Sequence, residues 1–309
     1  MDRNDTLGSA PPRRSALVAG LRALSDNLGG VLWMLVAVTF FTAGGLVMKH
    51  LAQAVPISMI VFFRNLVVLV VLLPVLIHNP PQCLRPQQLW IHFLRAVTGV
   101  ASFACLAYSL RELILADAMA LSFTTPLWGI VISALLLGEA VRARRLIATV
   151  LGFAGVLFIV RPQVEIDPAM LVALAGALLA TMSMAYLKRL TVSEPPILIM
   201  ITFSLIATAM TAAPALLAWK SPTFAELGWL IAVGVSALGG QFGMMRAFTR
   251  ADVSLVLPLD FLRLPLAAVA GIFVFSEIPD AWTITGAAII GVASVYVARP
   301  EAPSARCAA

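Results

Sequence analysis

Apolar runs of about twenty residues recur along the whole chain and are separated by short polar segments. Each run is long enough to cross the roughly 30 Å hydrocarbon core of a bilayer as an α-helix. The runs are continuous in Leu, Val, Ala, Ile, Phe and Gly, whereas a membrane β-barrel shows alternating segments of about ten residues. The pattern therefore predicts an all-α polytopic membrane protein with ten spans, at 30–48, 56–77, 92–110, 113–137, 143–160, 168–187, 196–218, 226–245, 253–275 and 281–298.

Composition agrees with a lipid solvent. Of the 309 residues, 61% are hydrophobic and 12% are charged, while soluble domains are about 45–50% apolar. The net charge of +6 would suggest a nucleic-acid partner in a soluble protein. Here most basic residues lie between spans, so we expect membrane lipids and no nucleic acid as partners. The three cysteines lack metal-ligand spacing, which predicts no metal and no cofactor.

The distribution of basic residues predicts the orientation. If the N-terminus is cytoplasmic, most lysines and arginines of the short loops fall inside, and the outside keeps only Lys49, Arg111, Arg161 and Lys220. Cytoplasmic loops carry such an excess. We therefore expect both termini in the cytoplasm of a bacterial-type inner membrane, with a leader at 1–29 and a tail at 301–309.

An internal repeat divides the spans into two sets of five. A glutamate, a turn and one span lead to Arg-Pro in both sets, and the interval from Glu139 to Arg161 equals that from Glu277 to Arg299, 22 residues. A proline precedes each glutamate, at Pro126 and Pro265, in slightly different register. The predicted halves are 30–162 and 163–300.

Five crossings invert the second half relative to the first. The charges agree, because the turn after Glu139 carries three arginines and the turn after Glu277 carries Asp280 and no basic residue. Inverted repeats are the architecture of many secondary transporters. The chain also lacks a phosphate-binding loop and catalytic motifs, so we predict no enzyme. A membrane-embedded enzyme, a lipid-handling protein using the same cavity, and a sensor or scaffold remain the alternatives.

Several motifs resemble the EamA type of the drug/metabolite transporter superfamily. They are Gly138-Glu139 and Ser276-Glu277, each followed by a span ending in Arg-Pro, together with the stretches 94–99 and 118–126. The resemblance implies a basket of helices around a central cavity lined mainly by spans one, three, four, six, eight and nine. It implies a secondary transporter of a small polar or zwitterionic metabolite, such as an amino acid, nucleoside-like compound or vitamin, working by alternating access.

Ionisable residues inside spans are the first candidates for contact with the solute, because a mid-membrane charge costs about 2.5–3.5 kcal/mol without a partner or water. Arg64 lies about eight residues into span two, where it either snorkels or pairs with a structural acid, or faces the cavity and contacts an anion or carboxylate. Asp260 and Arg263 lie three apart in span nine and share a helix face. They either pair with each other or open to admit a zwitterion, next to helix breaks expected at Pro258 and Pro265.

Further candidates follow from position on the spans. Arg95 is shallower, and interfacial anchoring competes with solute binding there. Lys49, His50 and Asp117 lie near outer span ends, where each is a gate, a proton carrier or a solvated end. A coupling proton and a homodimer both remain open. The other predicted solute contacts lie on spans that the resemblance places around the cavity: Trp128, Tyr186 and Gln241.

Overall fold

A computed structural model describes residues 13–78, 86–125, 127–129, 131–132, 143–160, 167–190, 193–250 and 257–298. All regular structure within these ranges is helical. The helices are α1 (Arg13–Ala52), α2 (Ile57–His78), α3 (Leu89–Glu112), α4 (Leu115–Ser122), α5 (Ala143–Val160), α6 (Pro168–Leu190), α7 (Pro196–Leu217), α8 (Phe224–Arg250), a 3₁₀ helix (Leu257–Leu262), α9 (Arg263–Phe275) and α10 (Ala281–Ala298). Most helix ends fall within a few residues of the predicted spans.

The first helix is longer than its predicted span. It begins at Arg13, within the predicted leader, and covers 40 residues. No proline follows Pro12 before the span, and the intervening Ala and Leu residues favour helix. At 1.5 Å per residue the helix is about 60 Å long, twice the hydrocarbon thickness.

Spans four and nine are not single regular helices, unlike the other predicted spans. In span four, α4 ends at Ser122, Phe123 and Thr124 form a turn, and the described residues that follow are helical again. In span nine, the 3₁₀ helix precedes α9 and contains Pro258. Proline lacks the N–H that an α-helix needs, so a break at this place follows from the sequence.

Hydropathy and length support a polytopic membrane protein. Among the described residues, six helices are long and apolar enough to cross a membrane, and three shorter apolar helices accompany them: Val150–Val160, Arg263–Phe275 and Ala281–Ala293. The predicted fold class, an all-α polytopic membrane protein, is confirmed.

Helix packing follows a two-fold pattern. The closest pairs are α1 with α8, α3 with α6, α5 with α10, and α2 with α7. If helices α1 to α5 are matched in order with α6 to α10, the α1–α8 pair corresponds to the α6–α3 pair. The α5–α10 and α2–α7 pairs each correspond to themselves. At the α5–α10 crossing, a Cβ on Gly286 would lie 2.6 Å from the carbonyl oxygen of Gly155, so only glycine allows this approach.

Candidate functional site

Glu277 is presented by a tight turn at the end of α9. Ser276 is left-handed with φ 56°, and the N–H of Glu277 donates to the carbonyl of Gly271 at 3.0 Å. This is a common way to end a helix, because it satisfies a terminal carbonyl and redirects the chain. The turn brings the Glu277 side chain back toward α1 and α4.

A buried set of polar contacts forms around that carboxylate, and we call Lys49, Leu113, Leu115 and Glu277 the Glu277 cluster. Glu277 Oε1 lies 2.6 Å from Lys49 Nζ, and Glu277 Oε2 accepts the N–H of Leu115 at 2.8 Å. Lys49 Nζ also donates to the carbonyl of Leu113 at 2.6 Å, and Lys49 is only 4% exposed. Since Leu115 begins α4, the carboxylate also complements the positive end of that helix dipole.

A second carboxylate makes the same kind of contacts elsewhere, and we call Gln87, Gln88, His92 and Glu194 the Glu194 cluster. Glu194 Oε1 accepts the N–H of Gln87 at 2.9 Å and of Gln88 at 3.2 Å, at the start of α3. Glu194 Oε2 lies 2.7 Å from His92 Nε2. The His92 and Glu194 side chains are 0% and 1% exposed.

The two clusters lie at opposite ends of α3. Gln88 immediately precedes α3, and Leu113 immediately follows it. A helix of 24 residues is about 36 Å long, which exceeds the hydrocarbon thickness. The clusters are therefore near opposite faces of the membrane.

Arg64 is buried in α2 with few polar contacts. It is 7% exposed, and its guanidinium carbon lies 3.4 Å from the centroid of the Phe103 ring on α3. Among the described residues it makes one hydrogen bond, from Nη1 to Asn65 Oδ1 at 3.5 Å, which is long for this type of bond. Arg64 belongs to none of the ion pairs of the described residues.

Asp260 and Arg263 form an ion pair with each other. Each side chain is 20% exposed. The Arg263 guanidinium lies 3.9 Å from the centroid of the Phe41 ring on α1 and 6.0 Å from that of Phe123, where α4 ends. The pair thus lies where the two irregular spans meet α1. This ion pair corresponds to the first of the two predicted alternatives, in which Asp260 and Arg263 pair with each other.

Arg95 connects α3 to α7. Its Nη1 donates to the carbonyl of Ile199 at 3.2 Å, and its guanidinium lies 4.4 Å from the centroid of the Phe203 ring. Tyr186 packs nearby, on the small apolar cluster of Ile91, Leu190 and Ile199.

The other predicted residues are dispersed. Trp128 packs edge-to-face on Phe153 of α5, with a buried indole N–H that has no partner among the described residues. Gln241 is exposed on α8. His50 is also exposed, with its ring 5.8 Å from that of Trp229.

Asp117 is buried in the first turn of α4, two residues after Leu115 of the Glu277 cluster. Pro265 is the third residue of α9, where its missing N–H costs no helical bond. Pro126 and Glu139 lie outside the described residues. Among those that are described, no group of His, Cys, Asp and Glu could hold a metal ion.

The sequence reasoning missed Glu194 and His92 as a pair. No role was predicted for either residue from the sequence. The sequence did hold one indication. Glu194 precedes two prolines at the start of a span, and that span start is predicted on the same side of the membrane as His92. Nothing in the sequence pattern places these two loops in contact.

An apolar cavity of about 670 Å³ lies on the side of the helix bundle, between α9, α10 and the start of α4. Its lining includes Leu264, Pro265 and Val292, and Val292 is 72% exposed. The charged residues described above are not part of its lining.

Comparison with known proteins gives a consistent picture. The EamA-like transporter family matches residues 28–161. A riboflavin transporter of Brucella anthropi is 30% identical over 262 residues, covering 82% of this chain and 92% of the relative. The chain belongs to the EamA-like transporter family. The predicted resemblance to the drug/metabolite transporter superfamily is thereby confirmed.

Other relatives of this EamA-like chain are similar over most of their length. An S-adenosylmethionine uptake transporter of Rickettsia prowazekii is 28% identical, covering 91% of this chain and 96% of the relative. A pseudopaline exporter of Pseudomonas aeruginosa is 29% identical, covering 88% and 96%. One solved crystal structure superposes with a TM-score of 0.61 at 19% identity, over 86% of this chain and 95% of the other, which supports the fold.

Proposed function

We propose that this EamA-like protein is a secondary transporter that moves a small polar or zwitterionic organic solute by alternating access. Its relatives are named as transporters of S-adenosylmethionine, riboflavin and pseudopaline, which supports a small-molecule solute. Uptake transporters and an exporter are both among them.

The observation that carries the proposal is the pair of carboxylate clusters at opposite ends of α3. In each, a carboxylate of the second predicted half binds a cationic or imidazole side chain and the start of a helix of the first half. Each cluster therefore holds the halves together near one face. Alternating access requires one closure to open while the other stays closed.

The two-fold pattern of helix pairs supports the same mechanism. A bundle built from equivalent halves has two packings of similar energy, one open to each face. We assign the halves to 30–162 and 163–300. With the N-terminus in the cytoplasm of a bacterial-type inner membrane, the Glu277 cluster closes the outer face and the Glu194 cluster closes the cytoplasmic face.

We place the centre of solute recognition at Asp260 and Arg263. A broken helix next to an ion pair offers backbone and charged groups that a polar solute can use. A zwitterion would exchange the internal pair for two pairs with the solute, its amine at Asp260 and its carboxylate at Arg263. Flux that is unchanged in both Asp260→Ala and Arg263→Ala would remove the two residues from the site.

Reversible cross-linking tests the mechanism. In a background without Cys83, Cys105 and Cys307, the pairs Lys49→Cys/Glu277→Cys and His92→Cys/Glu194→Cys are each bridged with a bis-methanethiosulfonate reagent. Proteoliposomes loaded with S-adenosylmethionine, riboflavin and a mixture of amino acids and nucleosides are assayed for solute flux by mass spectrometry. We expect either bridge to stop the flux, and reduction of the bridge to restore it.

A matched control joins the halves away from both clusters. Phe158 on α5 and Trp282 on α10 have ring centroids 5.6 Å apart. Bridging cysteines at these positions should leave flux unchanged, because spans five and ten are not among those that the family resemblance places around the central cavity. Flux that continues with either cluster bridged, or no flux of any solute above empty vesicles, would contradict the proposal.

One observation favours a second candidate, lipid handling. The apolar cavity between α9 and α10 reaches the exposed surface at Val292, where an acyl chain would fit. The same proteoliposomes with fluorescent phospholipid in both leaflets separate the two functions. Rapid lipid scrambling without solute flux would support lipid handling, and solute flux without scrambling would exclude it.

A further inference from the structure

The cations on the spans differ in how completely they are paired. Lys49 has a carboxylate and a carbonyl, Arg263 has Asp260, and Arg95 has the carbonyl of Ile199. Within the described part of the chain, the polar contact of Arg64 is the 3.5 Å one with Asn65 Oδ1. Arg64 and Arg95 thus each have one acceptor among the described residues, and the contact of Arg64 is the longest and weakest of those that the four cations make.

Asn65 adds little to the pairing of Arg64. The Asn65 amide is itself anchored, because Nδ2 donates to the carbonyl of Val61 at 2.8 Å. A guanidinium has five N–H donors, so one long bond leaves most of them without an acceptor. A buried cation without acceptors is costly, more so in a membrane. The described residues therefore supply too few acceptors for the Arg64 guanidinium.

The Phe103 ring orients the free donors. The guanidinium lies over the ring face, with 3.4 Å from its central carbon to the ring centroid. Stacking uses the face of the guanidinium plane, while hydrogen bonds to a carboxylate lie in that plane. Both interactions can exist together. The ring holds the guanidinium in place and leaves its edge available to a planar acceptor.

We infer that Arg64, held against Phe103, is a binding site for a carboxylate group of the transported solute, distinct from Arg263, and that the carboxylate binds there while Arg263 is still paired with Asp260. The inference rests on the proposed function, which it narrows to carboxylate-bearing solutes. A single guanidinium balances one negative charge, which matches a carboxylate. A phosphate group carries more charge, and among the described residues no second cation contacts Phe103 or Asn65.

The test measures equilibrium binding, not flux, with matched probes. The purified full chain is screened by thermal shift with the twenty amino acids and S-adenosylmethionine, with the carboxamide of each, and with inorganic phosphate. We expect at least one carboxylate to raise the melting temperature while its carboxamide does not. Arg64→Gln should weaken that binding by about 10- to 100-fold, the value of a charge-assisted hydrogen bond.

Two further variants separate recognition from folding. Arg64→Lys keeps the charge and loses the planar fork, so we expect intermediate affinity. Arg246 is an exposed arginine that lies 5.1 Å from the centroid of the Phe242 ring. Arg246→Gln should bind like the wild type, which controls for loss of a stacked arginine elsewhere.

Three results would overturn the inference. They are carboxylates no better than their carboxamides, wild-type discrimination in a folded Arg64→Gln variant, and stabilisation by phosphate alone. Binding and flux fail independently. If the protein binds carboxylates at Arg64 but moves no solute, the proposed transport is refuted and the Arg64 site stands. If it moves neutral solutes and does not distinguish carboxylates from carboxamides, transport stands and the Arg64 site is refuted.

Discussion

The Glu277 and Glu194 clusters each bind a carboxylate of the second predicted half, but with different side chains. In both, one carboxylate oxygen meets a side-chain donor and the other meets backbone N–H groups at the start of a helix. In the Glu277 cluster the side chain is a lysine, which carries its charge, and Glu277 is 22% exposed. In the Glu194 cluster it is a histidine, charged only if protonated, and the carboxylate is 1% exposed.

The difference lies in the interactions that hold each cluster together. The Glu277 cluster depends on a charge pair, because a buried ammonium without its counter-charge is unfavourable. The Glu194 cluster does not require a charged partner, since a neutral imidazole can also donate to the carboxylate, and its hydrogen bonds are shielded from water. Substitutions in the two clusters should therefore lower the free energy of unfolding by different amounts.

The largest effect is expected from Glu277→Ala. This variant leaves the Lys49 ammonium buried without a carboxylate, at a cost of about 3–5 kcal/mol in unfolding free energy. Unfolding in mixed detergent micelles measures it. The double variant Lys49→Met/Glu277→Gln removes both charges and should recover more than half of the loss. Wild-type stability of Glu277→Ala would mean that the charge pair is not what stabilises this cluster.

An intermediate effect separates the clusters directly. His92→Gln keeps an N–H donor for Glu194 and should cost about 0.5–1.5 kcal/mol. Lys49→Gln leaves Glu277 without its counter-charge and should cost about 1.5–3 kcal/mol. The same unfolding assay compares them. Equal losses of unfolding free energy would remove the proposed distinction between the two clusters.

The smallest effect is expected at the rim of the Glu194 cluster. Gln88 Nε2 donates to Ser193 Oγ at 3.0 Å, in an exposed position. Because water replaces such a bond, Ser193→Ala should change stability by less than about 0.5 kcal/mol. A loss comparable to that of His92→Gln would show that the cluster extends beyond its buried residues.

The sequence predicts the helices better than it predicts the clusters. Hydropathy locates spans such as 143–160 and 281–298 because lipid requires long apolar helices. Pro258 and Pro265 mark span nine as irregular because proline cannot continue the backbone hydrogen bonds. These are local rules, and local rules need no knowledge of the tertiary fold.

The clusters depend on distant contacts. Glu277 is separated from Leu115 by 162 positions and Glu194 from His92 by 102. The internal repeat identified Glu277 as a candidate, and Lys49 was a candidate because it lies near a span end. Neither observation indicated that the two residues pair. Arg64 was identifiable as a buried charge, whereas the weakness of its one hydrogen bond among the described residues became visible only once its neighbours were placed.

Amide hydrogen exchange in Glu277→Gln and Glu194→Gln tests the central claim most directly, because each cluster protects backbone N–H groups at a helix start. Alternation predicts that Glu277→Gln speeds exchange in the peptide containing Leu115, while the peptide containing Gln87 and Gln88 exchanges no faster than in the wild type. Glu194→Gln should give the reverse. Faster exchange at both ends of α3 in either variant would contradict the account, since the clusters would then hold the fold as one unit and not open in turn.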